Sequence, residues 1–142
     1  MPTSTASATW EGGLRNGRGN FSAGSKAFQG PYSFATRFEG AKGTNPEELI
    51  AAAEAACYSM ALSAGLEAAG TPPTRVSTTA HCTVEKVGDG FKITRMRIET
   101  VGEVPGIHRA AFTKAAETAK DGCPVSGALK GNVELELDAR LA

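Results

Sequence analysis

The hydrophobic and polar positions of this chain fall into two kinds of pattern. Between Asn45 and Gly70 apolar and small residues occupy nearly every side of a would-be helix, while the flanking segments alternate in steps of two. The helix has clear ends. Asn45 can cap it, Pro46 suits the first helical position, and Glu48 stands three residues after Asn45 as in a capping box. Gly70 and Pro72 stop it. It runs for about 24 residues, roughly 36 Å at 1.5 Å per residue. From Ala55 to Leu66 it carries no charge, which predicts a helix packed on most sides. Cys57 sits in the middle of it, either as a small buried hydrophobe or as a thiol presented at an apolar site.

The remaining segments read mostly as strands. Residues 5–12, with Trp10, form the first; Gly12 to Gly17, ending in Asn16-Gly17, is a hairpin signal, and Arg18 to Gly24 is the partner. Tyr32, Phe34 and Phe38 share one parity and predict a third strand over 32–38, with Arg37 on the opposite face. Gly40 to Thr44 turns into the long helix. After Pro72-Pro73, one face of a long strand carries Val76, Thr78, Ala80, Cys82 and Val84; the other carries Ser77, Thr79, His81, Thr83 and Glu85. Gly88-Asp89-Gly90 leads into a strand over 91–103, where the apolar parity switches between Ile93 and Met96 and predicts a bulge. Residues 107–120 read as a second helix capped by Gly122, Cys123-Pro124 opens a short helical turn to Leu129, and Val133, Leu135, Leu137 and Leu141 mark a last half-buried strand.

This order predicts an α+β fold with antiparallel sheets, in one domain of 142 residues. A small sheet does not easily cover a helix that is apolar nearly all round. The expected arrangement is therefore a dimer whose central helices pack against each other.

Composition narrows the function. Lys+Arg and Asp+Glu both number 15, so the net charge is zero and the electrostatic case for nucleic acid or an anionic membrane is gone. The central apolar run is short and rich in Ala, Gly and Ser for a membrane span. The first residues, Met1 to Ser7, have neither a basic nor an apolar region of a secretory signal, and three cysteines in such a chain point to a reducing, cytoplasmic setting and to thiol chemistry. No CxxC pair, HExxH or phosphate loop is present.

A reactive thiol requires a lowered pKa, because the thiolate is the nucleophile. Nothing beside Cys57 in sequence supplies positive charge, and a mid-helix position gains little from the helix dipole. Arg37 is the best-placed cation, and it needs a carboxylate to hold it in an apolar pocket. Glu47 is the natural choice. It lies ten residues before Cys57, about 15 Å along the same helix, too far for both to reach one guanidinium. A Glu47 supplied by the antiparallel helix of a second subunit removes that difficulty; the alternative role of Glu47 is to complement the helix N-terminus. Cys123, between a glycine and a proline, suits an exposed, mobile resolving thiol or a residue filling a turn. Cys82, between Ala80 and Val84 on the apolar strand face, reads as core.

Two segments, Asn45-Pro46-Glu47-Glu48-Leu49-Ile50 through Ala55-Ala56-Cys57, and Gly122-Cys123-Pro124-Val125-Ser126, resemble the cysteine motifs of the OsmC/Ohr superfamily of thiol-dependent hydroperoxidases. Trp10-Glu11-Gly12 and the run from Thr36-Arg37-Phe38 to Thr44 resemble its OsmC (osmotically inducible protein) branch. The resemblance implies an intertwined homodimer with two active sites at the subunit interface. It implies a peroxidatic Cys57, a resolving Cys123, Arg37 activating the thiolate and Glu47 orienting Arg37. The implied activity is reduction of organic hydroperoxides, and of hydrogen peroxide, in defence against oxidative and osmotic stress. The implied reductant is a dihydrolipoyl group on a partner protein, with no metal, haem or flavin. The alternative function is a redox-sensing or binding protein that oxidises once and signals to a partner.

Overall fold

The computed structural model describes residues 1–142 and contains β1 (Ala6–Glu11), β2 (Arg18–Ala23), β3 (Gln29–Tyr32), α1 (Phe34–Phe38), α2 (Pro46–Ala68), β4 (Arg75–Val87), β5 (Gly90–Glu103), α3 (Arg109–Gly122), α4 (Pro124–Leu129) and β6 (Glu134–Leu141). The fold is α+β, as expected. The backbone divides into two compact units, residues 1–49 and 50–142.

The first unit holds an antiparallel sheet in the order β1-β2-β3. Gly19 pairs with Trp10 on one side and Tyr32 on the other, and a Cβ there would meet the Tyr32 ring at 2.6 Å and the Trp10 ring at 2.7 Å. The missing side chain is what lets those two rings approach to 5.5 Å between centroids across the strand. The predicted strand over 32–38 is corrected: β3 ends at Tyr32 and α1 begins at Phe34. Ser33 is its N-cap. The Ser33 hydroxyl accepts from the Thr36 N–H and the Thr36 hydroxyl accepts from the Ser33 N–H, a reciprocal box that starts a helix where alternation alone suggested a strand. Gly40, at φ 69°, takes the chain out of α1. Asn45 then joins two elements. Its Oδ1 accepts from the Glu48 N–H at 2.8 Å, capping α2, and its Nδ2 donates to the Thr36 carbonyl of α1 at 3.1 Å.

The second unit is organised by the body of α2. Glu54, Tyr58, Leu62 and Leu66, four residues apart, form its fully buried stripe. Tyr58, Leu62 and Leu66 pack with Met96 and Ile98 of β5 and Phe112 and Ala116 of α3, and each fully buried leucine or isoleucine contributes about 1.5–3 kcal/mol over an exposed one. Tyr58 keeps its hydroxyl satisfied by donating to the Ala116 carbonyl at 2.9 Å. The expectation of a helix packed on most sides is not met within one chain: Ala52, Ala53, Ala56, Ala64 and Gly65 are exposed, and Met60 is 75% exposed. By length and composition α2 is apolar enough to cross a membrane, contrary to the reading of its Ala, Gly and Ser content, and only 22% of that apolar window is buried.

β4 and β5 form a long antiparallel hairpin, and the predicted bulge is present. Thr83 pairs with Arg95 and Val84 with Ile93, so Thr94 is the extra residue, and Ile93 and Met96 both turn inward. One pairing differs from the expected antiparallel arrangement: β6 runs parallel to β5 at the edge of the order β4-β5-β6, reached through α3 and α4. Gly122 does not cap α3. It is the last helical residue, and Cys123, in extended backbone, is both the C-cap of α3 and the N-cap of α4, with Pro124 at the first position of α4.

Candidate active site

The four residues singled out from sequence assemble as two pairs. In the first unit, α1 and the start of α2 bring Arg37 against Glu47. Nε donates to Oε1 at 3.0 Å and to Oε2 at 3.2 Å, and an NH2 group donates to Oε1 at 2.7 Å. The Glu47 side chain is 6% exposed and that of Arg37 36%. This fork-to-fork geometry fixes the plane of the guanidinium, and Arg37 also lies 5.1 Å from the Phe38 ring centroid. The expectation that a neighbouring chain supplies the carboxylate is thereby corrected. The partner is Glu47 of the same chain, because Arg37 stands on a separate short helix, tied by Asn45 to the first turn of α2.

In the second unit, α2 and the junction between α3 and α4 bring the two motif cysteines together. Cys57 is half-buried and Cys123 buried, both are free thiols, and their side chains interact directly. Burial pushes the Cys57 thiol above its ordinary 9.0; the neighbouring Cys123 and the charge of Glu54 push the same way, and a hydrogen bond from the Val125 backbone N–H opposes them. Within the chain's second unit, then, Cys57 has its reaction partner but no cation to hold it as thiolate. The expectation that Cys123 is exposed is corrected: it is 1% exposed. Its backbone position between two helices seals it against α2, where the Gly-Cys-Pro punctuation suggested an open turn.

One residue of this site was missed from sequence. Glu54, one helical turn before Cys57, is fully buried. Its Oε1 accepts hydrogen bonds from the Ser126 hydroxyl and, at 3.8 Å, from the Cys123 thiol. Its Oε2 is buried without a hydrogen-bond partner. The signal was there: an acidic residue three positions before a cysteine, on the same helix face. Cys82 packs half-buried against the core on β4, as expected. No three His, Cys, Asp or Glu side chains are grouped as a metal site.

The chain matches the family model described as OsmC-like protein over residues 39–138. It is 50% identical over 130 residues to the peroxiredoxin OsmC of Escherichia coli, covering 91% of each chain. It is 35% identical to an organic hydroperoxide resistance protein of Xanthomonas axonopodis pv. citri, covering 94% of this chain and 92% of that one. Its fold superposes with a TM-score of 0.81 on the crystal structure of an organic hydroperoxide resistance protein from Elizabethkingia anophelis with thiocyanate bound, at 26% identity, over 100% of this chain and 98% of the other. Two cysteine motifs whose thiols meet, a bidentate Arg–Glu pair and this breadth of similarity lead to one assignment: the chain belongs to the OsmC-like family.

Proposed function

We propose that this protein is a cysteine-based hydroperoxide reductase, a thiol-dependent peroxidase. The observation that carries the reading is the direct approach of Cys57 and Cys123, brought together from two distant segments of the second unit. The Cys57 thiolate attacks one peroxide oxygen, the other leaves as alcohol or water, and Cys57 becomes a sulfenic acid. Cys123 condenses with it to a disulfide, with loss of water. A dithiol, a dihydrolipoyl group on a partner protein, restores both thiols by exchange. The uncharged stretch of α2 from Ala55 to Leu66 favours organic hydroperoxides, and hydrogen peroxide is a further substrate.

The missing cation comes from a second copy of the chain. The exposed face of α2, from Ala52 to Gly65 and including Met60, is apolar and made mostly of small side chains, which suits close helix-to-helix packing. A homodimer built on that face sets the Arg37–Glu47 pair of one subunit beside the thiols of the other. Arg37 then stabilises the thiolate and the charge developing on the peroxide, and Glu47 orients it. On this reading the whole chain, 1–142, acts as one OsmC-like domain in a cytoplasmic enzyme of oxidative and osmotic stress defence.

The test is peroxide consumption with a dihydrolipoyl reductant. Wild type turns over many times, Cys57→Ser not at all, and Cys82→Ser as wild type. A Cys57→Ser variant that consumes peroxide normally refutes the assignment. Wild type that oxidises once and is not recycled by the dithiol favours a sensor instead.

A further inference from the structure

Glu54 is costly where it is. It is fully buried, no ion pair of the chain includes it, and one of its oxygens has no hydrogen-bond partner. Carrying a carboxylate into such a place costs several kcal/mol unless a cation compensates it. Its surroundings are chemically pointed. On α2 it neighbours Cys57 and Tyr58; from the α3–α4 junction Cys123 and Ser126 both donate to its Oε1. Glu117 of α3 is the further acidic group facing Tyr58. Ser126 fixes Oε1, and what Oε1 then faces is the thiol hydrogen of Cys123. Arg37 serves Cys57, but Cys123 must also lose its proton before it attacks, and it is buried away from water.

We propose that Glu54 is the proton shuttle of the disulfide-forming step, a further catalytic side chain that acts on Cys123 and not on the peroxide. The proposal rests on the peroxidase reading. In the step, the Cys123 S–H bond breaks and its proton passes to Glu54 Oε1. The freed electron pair on sulfur attacks the Cys57 sulfenic sulfur, the S–S bond forms and the S–O bond breaks. The departing hydroxide takes the proton from Glu54 and leaves as water. Cys123 is oxidised, the sulfenic acid is reduced to the disulfide level, and Glu54 ends as it began. The geometry also orders the reaction. While Cys57 is a thiolate, a negative Glu54 close by opposes it; once Cys57 is a neutral sulfenic acid that repulsion is gone, and the carboxylate is free to serve Cys123.

The experiment separates the two steps. Wild type, Glu54→Gln and Ser126→Ala, each checked for folding by circular dichroism, are mixed with one equivalent of an alkyl hydroperoxide. Peroxide loss and Cys57–Cys123 disulfide are followed in time, with dimedone trapping of the sulfenic acid read by mass spectrometry. Glu54→Gln is expected to slow disulfide closure relative to oxidation by about a hundredfold, the lower end of what a positioned proton acceptor contributes, and to accumulate the dimedone adduct. Ser126→Ala, which only frees the carboxylate, slows closure less, and it decides the matter alone if Glu54→Gln does not fold. Closure at the wild-type rate in the folded variants overturns the shuttle and leaves the peroxidase reading standing. A wild type that never forms the Cys57–Cys123 disulfide with peroxide overturns the peroxidase reading itself, and the shuttle with it.

Discussion

Replacing Arg37 by methionine tests how this fold makes a reactive thiolate. Methionine keeps an unbranched apolar stem and removes the charge. Within its own unit Cys57 is pushed above its ordinary 9.0, first by burial and then by its neighbours Cys123 and Glu54, so the thiol form dominates at neutral pH unless a cation intervenes. A unit charge about 4 Å from another contributes about 4 kcal/mol at an effective dielectric of about 20. Arg37 keeps 36% of its side chain in solvent and shares its charge with Glu47 through three hydrogen bonds. Halving the figure for that screening leaves about 2 kcal/mol, which is about thirtyfold in thiolate at fixed pH. Arg37→Met is therefore expected to lower the second-order rate of Cys57 oxidation about thirtyfold and to move its titration to more alkaline pH. Glu47→Gln, which loosens the guanidinium without removing it, falls between. The assay is ultraviolet titration of the thiolate in a Cys82→Ser, Cys123→Ser background, beside stopped-flow oxidation by an alkyl hydroperoxide. An unchanged Cys57 titration in Arg37→Met refutes the reasoning, whatever happens to turnover.

The other predictions concern assembly, pH and packing. Met60→Glu puts a charge on the exposed α2 face; sedimentation at micromolar concentration should then show the single-chain mass where wild type shows twice it. Burial holds the protons of Cys57 and Tyr58 above their ordinary 9.0 and 10.0, so both contribute stability that is complete below pH 9 and is lost as pH rises through the folded values. Melting temperature should accordingly be insensitive to these groups near neutrality and fall in alkali, with a smaller fall in Tyr58→Phe. A Cβ at Gly102 would run into the Phe112 ring, so Gly102→Ala should destabilise by about 1–3 kcal/mol in chemical denaturation, the usual range for overpacking.

The features legible in the sequence were those with a local physical cause. The parity switch between Ile93 and Met96 announced the bulge because side-chain direction reverses with every residue of a strand. Asn45-Pro46 announced α2 because capping chemistry is local. The segment after Tyr32 is ambiguous because Phe34 and Phe38 are four apart, a spacing that satisfies both a period of two and a helical turn; in α1 their ring centroids lie 5.0 Å apart, with the planes tilted by 52°. The tie was broken by Ser33 and Thr36, a box with threonine in place of the usual Glu or Gln. The direction of β6 and the burial of Cys123 depend on how α3 and α4 return to the sheet, which no local pattern records. Arg37 and Glu47 do pair, but within one chain, because Arg37 stands on a separate helix, α1, and not at a distance fixed by the rise along α2. Glu54 carries no local signal of its burial, since it borders the uncharged stretch that begins at Ala55.

The bulge at Thr94 also divides the long hairpin into two unequal parts. Below it Met96 and Ile98 root β5 under the helices; beyond it every residue from Glu85 to Lys92 is exposed, so that end is a bare two-stranded ribbon. Such ribbons are marginal by themselves. Its amide hydrogens will exchange with deuterated solvent well before those around Ile98, and added residues at Gly88-Asp89-Gly90 will be carried with little effect on the rest of the chain.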